Sequence, residues 1–380
     1  MNIINGSITQ PKGFKANGLH CGIKRSGNPD LALIVSDVPA VSAAVFTSNS
    51  VKAAPLIVSQ KHIKKNITQA IIVNSGNANC FTGKFGLIYA KKTTELIAKI
   101  LKVPQTHVLV SSTGIIGKPL LFEKIENAAE KLVKGLSRNA SHQAALAILT
   151  TDTKTKEIAV QINLSGVKVT IGACAKGSGM TAPNMATMLS FITTDAAINA
   201  SMLKLALKQS VNRSFNLITI DGCMSTNDMV AIMANGFAKN KMITHAKKDF
   251  QTFSKALTCV CQSLAKKIVL DAEGATKFIK IHVNGAANEL QAKKIGLAVA
   301  NSNLVKTAAF GSNPNWGRVA AAVGSLGIPQ ITEKNLKIKF SPFDKKEISI
   351  TVDINLGKVT TTIYTSDLSC EYVKINGEYN

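Results

Sequence analysis

A layered α/β fold is predicted by three features of the sequence. Short β-branched runs recur along its length, longer amphipathic stretches separate them, and the two alternate from one end to the other. The strand candidates are Leu31–Asp37, Ser42–Thr47, Ala70–Asn74, His107–Ser111, Ile158–Ile162, Val167–Ile171 and Leu217–Asp221, with Phe278–Val283, Leu336–Phe340, Glu347–Asp353 and Lys358–Tyr364 later in the chain. Helical spacing puts Leu96, Ile97, Ile100 and Leu101 on one stripe of Lys91–Leu101. It puts Ile125, Ala128, Ala129 and Leu132 on one stripe of Leu120–Leu136. Ser201–Val211 and Lys247–Ile268 read the same way, and core packing accounts for all four stripes. No fixed-period repeat and no Pro/Ser-rich linker interrupts the alternation, so the two halves are expected to share one packed body.

Composition narrows the function classes. With 380 residues, 46% hydrophobic and 18% charged, a sizeable core can be buried and disorder is not indicated. A formal charge of +23 attracts anions, which include nucleic acid, acidic membranes and acidic metabolites. Trp316 is the single tryptophan, tyrosines number four, and the lysines are spread out, so no stacking platform for nucleic acid is visible. The seven cysteines, at 21, 80, 174, 223, 259, 261 and 370, are odd in number and form no CxxC pair, which fits reduced thiols better than disulfides or zinc. The six histidines form no HExxH, so a metal site is not expected. The N-terminus lacks the pattern of a signal peptide, and no run of 18 apolar residues suggests a membrane span. A cytoplasmic protein is expected.

The most informative stretch is Ala175-Lys-Gly-Ser-Gly-Met-Thr-Ala-Pro-Asn-Met-Ala-Thr-Met-Leu-Ser-Phe-Ile-Thr-Thr-Asp195. A loop of glycine and small residues runs abruptly into an apolar, strand-like run, with Thr187 at the junction. A threonine is a nucleophile only where something takes its proton. If the chain were cut just before Thr187, its own α-amine, with an ordinary pKa near 8, would serve as that base. On chemistry alone a threonine at a strand start is more commonly there for β-propensity and a local hydrogen bond. A phosphate-binding loop is excluded, because in Gly172-Ala-Cys-Ala-Lys-Gly-Ser178 the lysine precedes the glycine, and no GxGxxG follows.

Lys176-Gly-Ser-Gly-Met180 followed by Ala182-Pro-Asn-Met-Ala-Thr-Met-Leu189 resembles the self-cleavage and nucleophile segment of the ornithine acetyltransferases, also called bifunctional glutamate N-acetyltransferases. Further blocks agree in the same order: Val45–Asn49 with Ala53-Ala-Pro55, Val73–Asn79, Ser112–Gly117, Thr150–Thr153, Asp271–Lys277, Asn313–Arg318 and Tyr372–Asn376. The resemblance covers the chain from about residue 12 onward. It implies an αββα sandwich of the N-terminal-nucleophile type and cleavage between Ala186 and Thr187, giving an α chain of residues 1–186 and a β chain of 187–380. It implies Thr187 as nucleophile, Thr113 and Gly114 as the oxyanion hole, and Thr153, Lys176, Thr187, Glu273 and Asn376 as substrate contacts. The implied reaction moves an acetyl group from N2-acetylornithine to glutamate with no cofactor, in an α2β2 assembly of the arginine pathway. Use of acetyl-CoA as a second donor, or passage of the acyl group to water as in an aminopeptidase, are the alternatives. Arg318 is expected to be structural.

Two departures from the family pattern bear on the pocket. Asp221-Gly-Cys-Met-Ser-Thr-Asn-Asp228 stands where the family commonly has Asp-Gly-Asp-Thr-Ser-Thr-Asn-Asp, which removes an acid and a hydroxyl. The family's further contact, a Thr or Ser five residues after the position of Asn376, falls beyond Asn380, so the C-terminal side of the pocket is expected to differ.

Overall fold

The computed structural model describes residues 1–182 and 188–378. Its organising element is β3 (Leu31–Phe46), a strand of 16 residues that belongs to two arms of one sheet. Leu31–Val35 pair with β2 (Phe14–Leu19) and β4 (Ile67–Asn77), and β4 pairs in parallel with β5 (Val108–Ile115). Val41–Phe46 pair instead with β9 (Met229–Ala234), beyond which lie β8 (Leu189–Thr194), β7 (Val167–Lys176), β6 (Lys156–Leu164) and β1 (Asn2–Ile4). The two separate strands expected over 31–47 are therefore one. Pro39, which has no N–H to give a ladder, sits inside the register slip between Val35 and Ala40, where the ladder to β4 is interrupted.

The period-two alternation of these strands builds three cores. Ala32, Ile34, Ile71 and Val73 from one arm meet Phe191, Met229, Ala231 and Met233 from the other, together with α4 (Ser141–Ala147), in a core between the arms. The alternate residues Leu31, Leu33, Ala70 and Ile72 pack outward with residues of α1 (Ala54–His62), α2 (Gly83–Leu101) and α3 (Phe122–Lys134). On the far side Ile192, Val230 and Ile232 pack outward on α5 (Ala200–Asn212) and α6 (Lys248–Leu270). Helices, sheet arm, sheet arm and helices thus form the expected αββα layering.

A four-stranded sheet follows in the chain, ordered β11 (Lys337–Phe340), β12 (Glu347–Asp353), β10 (Phe278–Ala286), β13 (Val359–Ser366). Its Ile279, Ile281, Val283, Ile348 and Ile350 share a core with residues of α7 (Glu289–Ala300), α8 (Asn303–Phe310) and α9 (Trp316–Gly324). The last helix, α10 (Cys370–Glu378), returns the chain to the strand ends of the larger sheet. The strand expected over Leu217–Asp221 does not form. Phe215–Leu217 are a 3-10 turn, the Thr219 N–H donates to the Tyr364 carbonyl, and the Ile220 N–H donates to that of Thr181. Only one isolated bridge forms, between Ile218 and Tyr364, and no ladder extends from it. Among the described residues no helix is long and apolar enough to cross a membrane, and no His, Cys, Asp and Glu cluster could hold a metal ion.

Phe191 is fully buried where the two arms face each other. Phe191→Ala is expected to lower stability by about 3–5 kcal/mol in a chemical denaturation curve, the cost of a large aromatic lost from a close-packed core.

Candidate active site

The ends of five strands converge on one cleft. Lys176 closes β7 and lies opposite Leu189, the first residue of β8, while Met229 opens β9 alongside Leu189. From the other arm, β4 and β5 bring Ser75 beside Thr113 and Gly76 beside Gly114. The approach at Gly114 is close. A Cβ there would stand 2.4 Å from the Gly76 carbonyl carbon, and its φ of +132° is one that only glycine adopts without strain. The cleft has an empty volume of about 550 Å³, and its walls include Thr113, Gly114, Thr150, Thr151, Lys176, Glu273 and Asn376.

Two charges of opposite sign face each other across it. Lys176 is 3% exposed, and its ammonium donates to the Thr150 hydroxyl at 2.7 Å. The Glu273 carboxylate accepts from the Thr151 hydroxyl at 2.5 Å and from the Asn376 side-chain amide at 2.9 Å. Gly179 makes room for it, because a Cβ there would lie 2.1 Å from the carboxylate oxygen. Behind Lys176 the side chain of Asp152 is fully buried and accepts from Lys156 at 2.7 Å and from the Gly177 N–H at 2.6 Å. Burial alone would raise this carboxyl. Lys176 and Lys156, with the Gly177 amide, overcome that and hold it well below the usual carboxylate range.

Residues 219–229 hold both flanks of the segment 183–187. On the upstream side, Asp221 accepts from the N–H groups of Met180 (2.5 Å), Thr181 (2.8 Å) and Cys223 (3.1 Å), and from the Tyr372 hydroxyl at 3.3 Å. Met180 is thereby held at a φ of +52°. On the downstream side the Met188 N–H donates to Asp228 at 3.1 Å, and the Met229 N–H donates to the Met188 carbonyl. Between them Asn227 donates to the carbonyls of Ala78 and Ser112, at 2.7 and 2.8 Å, and so ties this segment to the end of β5. Burial pushes Asp228 well above the ordinary carboxylate value and raises Asp221 as well.

Of the residues expected from the sequence, Thr113, Gly114, Lys176, Glu273 and Asn376 come together in the cleft. Ala186 and Thr187 lie outside the described residues. Thr153 is not brought in. Its hydroxyl and N–H both go to Asp271 at the C-terminal end of α6, which turns the side chain from the cleft, and Thr150 and Thr151 take the wall positions instead. The departures Cys223 and Met224 lie on the 219–229 segment. Cys223 is exposed, and Met224 accepts from Ser48 at its sulfur and from Asn49 at its carbonyl. Arg318 donates to the Leu304 carbonyl, joining α9 to α8, as expected of a structural residue.

Fold and cleft define a layered α/β enzyme whose site is assembled from the ends of strands. The model of the ArgJ family matches residues 15–344. A protein of Caldanaerobacter subterraneus subsp. tengcongensis, named arginine biosynthesis bifunctional protein ArgJ, is 46% identical over an alignment of 402 positions that spans both chains entirely. One of the same name from Oceanobacillus iheyensis is 44% identical, covering 99% of this chain and 96% of the other. A crystal structure of ornithine acetyltransferase from Mycobacterium tuberculosis, complexed with ornithine, is 35% identical with a TM-score of 0.45, covering 48% of this chain and 97% of that one. The chain belongs to the ArgJ family.

An acid with a raised folded-state pKa binds more protons in the native than in the unfolded chain. Its contribution to stability therefore falls as pH rises from the ordinary carboxylate value toward the raised one. Asp228→Asn removes that term. Denaturation midpoints measured from pH 4 to 8 are expected to show the variant gaining on the wild type as pH rises, by up to about 1.4 kcal/mol per pH unit.

Proposed function

We propose that the protein transfers the acetyl group of N2-acetyl-L-ornithine to L-glutamate through an acetyl ester on Thr187. The observation that carries this reading is the cleft itself. It gathers Thr113, Gly114, Lys176 and Glu273 around a single cavity, which supports reading the Thr113 hydroxyl and the Gly114 N–H as oxyanion donors. N2-acetylornithine carries one carboxylate and one ammonium. Lys176 suits the first as a point charge, and Glu273 suits the second. Attack by the Thr187 hydroxyl on the acetyl carbonyl forms the C–O bond and a tetrahedral oxyanion. Thr113 and Gly114 stabilise that oxyanion, and such donors are worth roughly 3 kcal/mol each. Collapse breaks the C–N bond, and the ornithine amine leaves with the proton taken from Thr187. Glutamate's amine then attacks the ester and regenerates the hydroxyl, so the kinetics are ping-pong.

The free Thr187 amine that serves as base arises from cleavage of the Ala186–Thr187 bond. The two fragments, 1–186 and 187–380, then remain one body, because six residue pairs join β7 to β8 and β3 joins β9 across the cut. The active form is an α2β2 assembly in the cytoplasm. The seven free cysteines suit a reducing compartment.

A second donor, acetyl-CoA, is favoured by a specific feature beside the cleft. A neighbouring depression sharing Thr150 carries Lys24, Arg25 and Lys118 and no acidic residue in its lining, which suits a phosphate-bearing carrier. Burial, with Lys176 nearby and against the pull of Asp30, brings Lys24 down to about 8.

Intact-mass analysis with N-terminal sequencing is expected to show two fragments, one beginning Thr-Met-Leu-Ser, whereas Thr187→Ala gives one uncut and inactive chain. A wild-type chain that is continuous across 186 and 187 and still fully active would refute the mechanism. For the second donor, N-acetylglutamate formed from acetyl-CoA and glutamate without N2-acetylornithine is the expected product, and its absence restricts the enzyme to acetyl recycling.

A further inference from the structure

Behind the cleft lie three charges that acetyl transfer does not itself use, Lys156, Asp152 and Asp271, and they adjoin Lys176 of the cleft wall. The Lys156 side chain is 1% exposed. Its ammonium donates to Asp152 at 2.7 Å, to Asp271 at 2.6 Å and to the Lys154 carbonyl at 3.1 Å, so all three of its protons are engaged. Asp152 lies between this lysine and Lys176. Its contact with Lys156 is a short hydrogen bond, whereas the Lys176 nitrogen stands 3.6 Å away, an ion-pair distance without a hydrogen bond. Lys176 spends one proton on Thr150 and lines the cleft with the rest of its ammonium.

The distances imply a division of charge. Two carboxylates, Asp152 and Asp271, face two ammonium groups. Lys156 bridges both acids, so neither acid needs Lys176 as its principal partner. Without Lys156, Asp152 would be a fully buried carboxylate with Lys176 as the one ion-pair partner left to it among the described residues. A charge so buried takes whatever partner can reach it, because leaving it unpaired is very costly. Lys176 would be drawn the remaining distance to Asp152 and away from the cleft.

We propose that Lys156 is a positioning residue for recognition of the substrate carboxylate: by occupying Asp152 it keeps the Lys176 ammonium free for the carboxylate of the amino-acid substrates. The inference deepens the acetyl-transfer reading above and rests on it. Asp271 has a matching part. It accepts from the N–H groups of Thr153 and Lys154, and so anchors the loop that presents Thr150 and Thr151 to the C-terminal end of α6.

The test is steady-state kinetics with N2-acetylornithine and glutamate on the self-processed enzyme and three variants. Lys156→Met is expected to raise KM for N2-acetylornithine by about tenfold to a hundredfold, the loss of one charge-assisted contact, with kcat little changed. Adding Asp152→Asn to Lys156→Met is expected to recover most of that KM, because the acid that captures Lys176 is gone. A merely structural role predicts the opposite, additive loss in the double variant with kcat falling too, and that result overturns the proposal. Should Lys156→Met fail to fold, Asp152→Asn is compared with the double variant: equal KM values support the proposal, since Lys156 then acts only through Asp152, and a higher KM in the double variant overturns it. Wild-type enzyme that moves no acetyl group from N2-acetylornithine to glutamate removes the acetyl-transfer reading and the inference with it. Normal wild-type turnover with additive variant losses removes the inference alone.

Discussion

The fully buried carboxylate of Asp152 is the constraint on which the site depends. A carboxylate that deep is tolerated only with cations and amides around it, and here they come from distinct places. Lys156 reaches it from the start of β6, Lys176 from the end of β7, and the Gly177 N–H from the loop that leads to residue 182. Lys156 then passes the connection to Asp271 at the end of α6. One acid thereby fixes where the cleft's cation stands, where the glycine loop begins, and how the first half of the chain meets the second. Breaking one partner of such a group costs far more than the pair itself contributes, so the arrangement is better understood as setting geometry than as adding stability.

The second constraint acts on the chain that crosses the cleft. Asp221 and Asp228 sit seven residues apart, and one holds the amides before residue 182 while the other holds the amide of Met188. Burial raises both carboxyls above the ordinary value, Asp228 the more strongly, while the amides they accept from pull the other way. Asn227 binds the carbonyls of Ala78 and Ser112 between the two acids, so the same segment fixes the distance from the start of β8 to Thr113 and Gly114. On the acetyl-transfer reading proposed above that distance matters, since donors help only where the developing oxyanion will stand.

How much of this was legible in the sequence depends on how local each signal is. Glu347–Asp353 alternates cleanly because one face is buried and the other is less so, and its boundaries match the expectation. Met229–Ala234 escaped notice because it is buried on both faces and reads as an unbroken apolar run without alternation. The helices α7 to α9 were missed because they are short, 12, 8 and 9 residues, so few turns repeat their stripe. Lys176, Glu273 and Asn376 could be placed in the site because they sit in blocks that resemble a known family. The Asp152, Lys156 and Asp271 group could not. Lys156 looks like a solvated charge at a strand start, and its partner Asp271 is 115 residues away. Thr153 shows the converse case. Three threonines in Thr150–Thr153 are chemically alike, and only the fold distinguishes the two that face the cleft from the one that caps Asp271.

The net charge and the site's charges act at different ranges. A surplus of +23 gives the molecule a positive field that attracts anions. Salt screens that field over roughly 10 Å at 0.1 M, so it cannot orient a substrate in the cleft. At short range the cleft offers the charges of Lys176, which is buried, and Glu273, which is partly exposed. The four charges behind the cleft, two acids and two lysines, cancel one another. A neutral cluster adds little to the long-range pull, yet it determines which way the last few ångströms of field point. Capture by the surface and selection by the cleft are therefore separable, and a change in surface lysines would alter how often substrate arrives without altering which end of it is held.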